Sequence, residues 1–191
     1  MFRDRLDAAR QLTVRLAHLK PDRPLVLAIP RGAVPMARQL ADALEADLDV
    51  VLVRKLGAPG EPEVAVGSVD ESGWVWVAPH AARFGADQDC LASETARQLE
   101  RIRERRRRYS PIHAPVAVRG RTVIVVDDGL ATGATMVAAL HSLRQQQPAR
   151  LVCAVPVASP EALALVQPLA DEVVCLLVPP HFQAVGQFYR D

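Results

Sequence analysis

Thr122 to Val126 is a short run of β-branched residues, Thr-Val-Ile-Val-Val, that stops at two carboxylates, Asp127 and Asp128. A strand without polar alternation has no face to give to water, so it belongs in a sheet covered on both sides, as in parallel α/β folds. The acids then stand at its carboxyl end. After them Gly129, Leu130, Ala131, Thr132, Gly133, Ala134 and Thr135 form a turn of small residues that leads into a helix. Gly129 and Gly133 lack side chains, so backbone N–H groups can close on an anion, and Thr132 and Thr135 add hydroxyl donors where the helix begins. Such a turn wraps one phosphate, each charge-assisted hydrogen bond contributing roughly 1.5–3 kcal/mol. Two adjacent carboxylates repel a phosphate, so Asp127 and Asp128 are expected to face hydroxyl groups, of which a ribose offers two. The segment predicts a site for a ribose 5-phosphate.

Elsewhere apolar strands alternate with helix-length segments, the α/β pattern. Leu6, Leu12, Leu16 and Leu19 recur at near-helical spacing over Arg3 to Leu19, ahead of Pro21. Leu25 to Ile29 is the first expected strand, Ala33 to Leu44 a helix, and Leu48 to Val53 the second strand, joined by a right-handed crossover. Val64 to Val69 and Trp74 to Val77 flank Asp70-Glu71-Ser72-Gly73 as an inserted hairpin, followed by a long helix from Asp87 to Tyr109. After the acidic strand come a helix over Thr135 to Gln146, a strand over Leu151 to Val155, a helix over Pro160 to Leu169 and a strand over Glu172 to Val178. The expected fold is an open, mostly parallel twisted sheet with helices on both faces, read as one domain over residues 1–191. Ligands of such sheets bind beyond the carboxyl ends of the strands. There the sequence places Pro30-Arg31-Gly32 after the first strand and Arg54-Lys55-Leu56-Gly57 after the second, with Asp127 and Asp128 after the third. Cations and acids at one sheet edge suit a substrate with a pyrophosphate at one end and a phosphorylated sugar at the other.

The segment Val125 to Met136 resembles the phosphoribosyl pyrophosphate (PRPP) motif of the type I phosphoribosyltransferases. Ala28-Ile29-Pro30-Arg31-Gly32 is similar to that family's pyrophosphate loop, and Val53-Arg54-Lys55 to its second basic element. The resemblance implies transfer of the 5-phosphoribosyl group of PRPP to a nitrogenous acceptor, a base or an amine, with release of pyrophosphate. Arg31, Lys55, Asp127 and Asp128 would be catalytic, and Gly32, Arg54 and the turn Gly129 to Thr135 would bind substrate. It also implies a cis bond between Pro30 and Arg31, a mobile loop over Gly57 to Gly73 (57–78 with the hairpin), and a hood over residues 179–191 in which Phe182 can stack on the acceptor. The transition state would be oxocarbenium-like, with charge on the leaving pyrophosphate stabilised by Arg31, Arg54, Lys55 and Mg²⁺. Mg²⁺ would arrive on the substrate phosphates and keep its waters, with Asp127 or Asp128 reaching it through water, so no protein metal cage is expected. Family members acting on 6-oxopurines carry an acid where this chain has Ala131 and a later lysine, whereas no lysine follows Lys55. A non-catalytic PRPP or nucleotide sensor of the same fold is the alternative.

Composition narrows the remaining classes. The formal net charge is +1, and only Lys20 and Lys55 are lysines. Near-neutrality argues against general adhesion to nucleic acid or membrane, and the arginines from Arg101 to Arg108 are interleaved with Glu104 and preceded by Glu100, as on a solvated helix face. Without a long apolar stretch or a secretion signal, the expected location is cytoplasmic. Cys90, Cys153 and Cys175 are widely spaced and read as reduced thiols, and His18, His113 and His141 lack zinc-ligand spacing. Trp74 and Trp76 share a strand face, which suits packing or a subunit contact; whether two copies pair as a homodimer is left open.

Overall fold

The computed structural model describes residues 1–109 and 114–191. His113 therefore lies outside the described residues. The chain divides into two compact units, one of Met1–Val51 with Val116–Asp191 and one of Leu52–Pro115.

The first unit is built on five parallel strands in the order β2-β1-β6-β7-β8, namely β1 (Leu25–Ala28), β2 (Asp47–Val50), β6 (Thr122–Val126), β7 (Arg150–Val157) and β8 (Glu172–Leu177). The helices α1 (Arg5–Leu16), α2 (Val34–Leu44), α4 (Ala134–Gln145) and α5 (Pro160–Val166) complete it. Because β6 is third of five, its neighbours screen both edges, and Val123, Ile124, Val125 and Val126 have no exposed surface. Each such side chain stabilises the fold by roughly 1.5–3 kcal/mol relative to exposure. Leu12, Leu16, Met36 and Leu40, presented by α1 and α2 at helical spacing, are also fully buried and pack with Val26, Ile124 and Val152 of the sheet. Asp4 caps α1 by accepting the Asp7 N–H at 2.7 Å, so the helix begins at Arg5, later than periodicity suggests. It ends at Leu16, and Ala17–Asp22 tighten into a 3₁₀ turn.

The second unit holds the antiparallel strands β3 (Val53–Ala58), β4 (Glu61–Asp70) and β5 (Val75–Val77) and the 22-residue helix α3 (Gln88–Tyr109). Here the structure corrects the expected second strand. The sheet of the first unit releases the chain at Val50, and Val53 opens β3 in a different sheet. The run Leu48 to Val53, apolar but for Asp49, contains no glycine or proline to mark that break, so periodicity joined two strands into one. Arg54 and Lys55 consequently lie inside an antiparallel strand and not in a loop at the end of a parallel one. The segment Gly57 to Gly73 is largely strand: β3 and β4 form a hairpin that turns at Pro59-Gly60, with Gly60 at φ +75°. The expected β4 to β5 hairpin about Asp70 to Gly73 is present, its turn held by the Asp70 carboxylate accepting from the N–H groups of Ser72 and Trp74. No described helix is long and apolar enough to cross a membrane.

Candidate active site

Three loops of the first unit meet at the carboxyl ends of β1, β6 and β7. Ala28 of β1 is in register with Val126 of β6, and the Ile29 N–H donates to the Val126 carbonyl at 3.0 Å. Pro30-Arg31-Gly32 and Asp127-Asp128 therefore leave neighbouring strands side by side. The Pro30–Arg31 peptide bond is cis, as the resemblance implied. Beyond it the Val34 N–H donates to the Arg31 carbonyl at 3.1 Å, where α2 begins. Arg31 is exposed and, among the described residues, enters no ion pair, so its charge is available to an anion.

Gly32 shows how tightly the two loops pack. A Cβ at that position would lie 2.5 Å from Asp128 Oδ2 and 2.9 Å from Asp128 Cγ. Only glycine leaves the Asp128 carboxylate where it stands.

The two acids occupy unlike environments. Both contacts of Arg5, the first residue of α1, fall on Asp128 Oδ2, from Nε and from the terminal nitrogen Nη2, each at 2.8 Å. Among the described residues Asp127 has no such cation. Burial pushes its carboxyl up to about 7, against the opposing effect of the Asp128 N–H that Oδ1 accepts at 2.8 Å, with the neighbouring Asp128 charge adding to the rise. Near neutrality Asp127 sits on the edge of ionisation.

The turn that follows is pinned from outside. Leu130 forms an isolated parallel bridge with Ala158; its N–H donates to the Val157 carbonyl and its own carbonyl accepts the Ser159 N–H, both at 2.9 Å. Ser159 Oγ donates to the Ala131 carbonyl at 2.7 Å and accepts the Ala162 N–H at 3.0 Å, which caps α5. Gly133, at φ +77°, is the N-cap of α4 and brings no capping side chain. The first N–H groups of α4 lack intrahelical acceptors, so the start of Ala134–Gln145 is a natural place for an anion. Thr132 is exposed beside it, Thr135 is half-buried, and Ala134 N–H approaches Thr132 Oγ1 at 3.4 Å. Ser159→Ala is expected to lower stability by about 1–2 kcal/mol through loss of the cap. Chemical denaturation would measure this.

The remaining residues singled out from the sequence are placed as follows. Arg54 and Lys55 project to opposite faces of β3 because successive strand residues alternate. Lys55 is exposed and among the described residues enters no ion pair. Arg54 is half-buried, and its Nε donates to Gln98 Oε1 on α3 at 3.0 Å. Burial, reinforced by the charges of Arg105 and Arg101, lowers the Arg54 pKa. Phe182 is half-buried against the core of the first unit, its ring 5.2 Å from that of Phe188 and tilted by 35°. Cys153 is buried and Cys175 half-buried, with burial raising both thiols. No group of three or more potential metal-ligating side chains occurs among the described residues. Sequence reasoning missed Arg5, Tyr189 and Ser159, all of which touch the acid pair or the turn.

A parallel sheet whose adjoining strand ends carry a Pro-Arg-Gly loop, an acid pair and a Thr-Gly turn into a helix has the type I phosphoribosyltransferase architecture. The chain belongs to the phosphoribosyl transferase family: residues 5–191 match the phosphoribosyl transferase domain. It is 42% identical over 193 residues to a Mycobacterium tuberculosis H37Rv protein whose name assigns it provisionally as a phosphoribosyl transferase. That alignment covers 100% of this chain and 43% of the relative, so the chain spans less than half the length of the curated protein. The crystal structure of TT1426 from Thermus thermophilus superposes with a TM-score of 0.91 at 50% identity, over 100% of this chain and 91% of that one. The Trypanosoma cruzi hypoxanthine phosphoribosyl transferase shares the fold at 16% identity and a TM-score of 0.51, over 90% of this chain and 73% of that one.

Proposed function

We propose that this protein transfers the 5-phosphoribosyl group of PRPP to a nitrogenous acceptor and releases pyrophosphate. The observation that carries the reading is the packing of the Pro30-Arg31-Gly32 loop directly against the carboxylate that precedes the Thr132-Gly133 turn. Cation, acids and phosphate turn thus adjoin in the order that PRPP requires. In this reading the N-terminus of α4, with Thr132 and Thr135, holds the 5-phosphate. Asp127 and Asp128 accept hydrogen bonds from the ribose hydroxyls, and Arg31 stabilises charge that develops on the leaving pyrophosphate.

The Asp127 and Asp128 carboxylates are hard oxygen donors that fit Mg²⁺ brought in on substrate phosphates. Asp127 or Asp128 would hold the ion through its waters, and the ion would neutralise charge on the pyrophosphate. The acceptor is a base or an amine. Ala131 stands where an acid would serve a 6-oxopurine, which favours a different acceptor class.

The deciding experiment incubates protein, Mg²⁺ and PRPP with a panel of purines, pyrimidines and small amines and follows pyrophosphate release. Release that depends on one acceptor is the expected result. Tight PRPP binding with no acceptor-dependent release across the panel would point instead to a sensor. The family resemblance implies a role for Lys55 in turnover, and Lys55→Ala tests this separately: turnover should fall about tenfold or more with no change in thermal stability.

A further inference from the structure

We propose that Arg5 and Tyr189 are positioning residues that act through Asp128, fixing its carboxylate in the single orientation that receives the ribose. The inference rests on the PRPP reading above.

Three contacts converge on Asp128 from segments remote in sequence. Arg5 grips Oδ2 with two nitrogens at 2.8 Å, and Oδ1 is left unused by the arginine. The guanidinium carbon of Arg5 lies 4.9 Å from the centre of the Tyr189 ring, a cation–π arrangement that fixes the arginine in turn. The Tyr189 hydroxyl donates to the Asp128 main-chain carbonyl at 2.6 Å. Tyr189 is buried, and burial raises its phenol, so the hydroxyl remains a donor throughout the range in which enzymes work.

The support has its own foundation. Phe2 and Tyr189 form a parallel bridge with ring centroids 5.6 Å apart, the Phe2 N–H donates to the Phe188 carbonyl at 2.8 Å, and the Arg190 N–H donates to the Phe2 carbonyl at 3.1 Å. Phe2, three residues before Arg5, is thereby tied to the residues on either side of Tyr189. On the other side, the missing side chain of Gly32 gives the carboxylate room.

An unsupported aspartate beside a second acid would rotate away from it, and a ligand would then have to offset the rotamer entropy lost on binding. A carboxylate already held by one oxygen offers the other without that loss. Arginine suits the task because two of its nitrogens address one oxygen from a rigid plane, which a lysine ammonium cannot reproduce. Acting through its contacts with Asp128, Arg5 should lose its effect when Asp128 no longer carries a charge.

The test is a double-mutant cycle on PRPP affinity in the presence of Mg²⁺, measured by calorimetry, with Arg5→Gln, Asp128→Asn and the double variant. Arg5→Gln should raise the PRPP Kd about tenfold in the parent and less than about twofold in the Asp128→Asn background. Arg5→Lys should recover only part of the loss, and Tyr189→Phe, which keeps the ring, should raise Kd about threefold with kcat at saturation little changed. Equal effects of Arg5→Gln in both backgrounds, or no effect in the parent, overturn the proposal while leaving the PRPP reading intact. Should Arg5→Gln fail to fold, Tyr189→Phe with unaltered Kd overturns it instead. A parent protein that does not bind PRPP removes both.

Discussion

Gly32→Ala is expected to lower kcat/KM for PRPP by about 100-fold while the variant remains folded, because a misplacement near 1 Å at a reacting constellation carries a penalty of that order. The added methyl would stand 2.5 Å from Asp128 Oδ2, inside any tolerable contact, and 3.5 Å from Arg5 Nε. Either the carboxylate leaves Arg5 or the Pro30-Arg31-Gly32 loop retreats from the end of β6. The strand itself is untouched, so circular dichroism and the unfolding midpoint should remain near the parent values. A Gly32→Ala variant with parental kinetics would show that the adjoining of the two loops is incidental to activity.

Asp127→Asn should stabilise the folded protein above neutrality while weakening PRPP binding. In the folded state the Asp127 carboxyl is raised to about 7 from an ordinary value of 3.8, chiefly by burial. A raised acid binds its proton more tightly when folded, so no penalty exists below about pH 4. The penalty grows as pH climbs through the interval between the two values and is complete above about pH 7. Its full size is on the order of 2–4 kcal/mol. Asparagine keeps the acceptor for the Asp128 N–H and carries no charge, so urea denaturation should show the gain at about pH 8 and only about a quarter of it at about pH 4.5. An equal gain at both pH values would contradict the buried-charge explanation. Asp127→Asn combined with Asp128→Asn should weaken PRPP binding by at least about 100-fold, since two charge-assisted acceptors are lost together. Stability sacrificed to keep a functional charge is a common feature of catalytic sites.

What could be read in advance, and what could not, follows from the range of the interactions involved. Val125 to Met136 announces its strand, acids and turn because all of them are consecutive, and Thr122–Val126 is the strand as expected. Pro30-Arg31-Gly32 and its cis bond were legible by resemblance. The break between β2 and β3 was not, since a largely apolar run without glycine or proline hides a change of sheet. That break moved Arg54 and Lys55 into a hairpin and, through strand alternation, separated their directions. Arg5 was invisible for another reason. Its partner is 123 residues away, and an arginine in the first turn of an amphipathic helix looks like any solvated charge until the fold brings Asp128 to it. Ser159 hides similarly, because a Ser-Pro helix start explains itself as a cap without its second bond to Ala131.

The innermost position of β6 has a bearing on how this protein fails under stress. Fraying in parallel sheets begins at outer strands, whose amide protons exchange first, whereas the middle strand surrenders its protons only when the entire cooperative block opens. Asp127 and Asp128 hang from that middle strand in the order β2-β1-β6-β7-β8. Partial melting of the outer strands would therefore spare the acid pair, and loss of their arrangement on warming should coincide with collapse of the whole first unit.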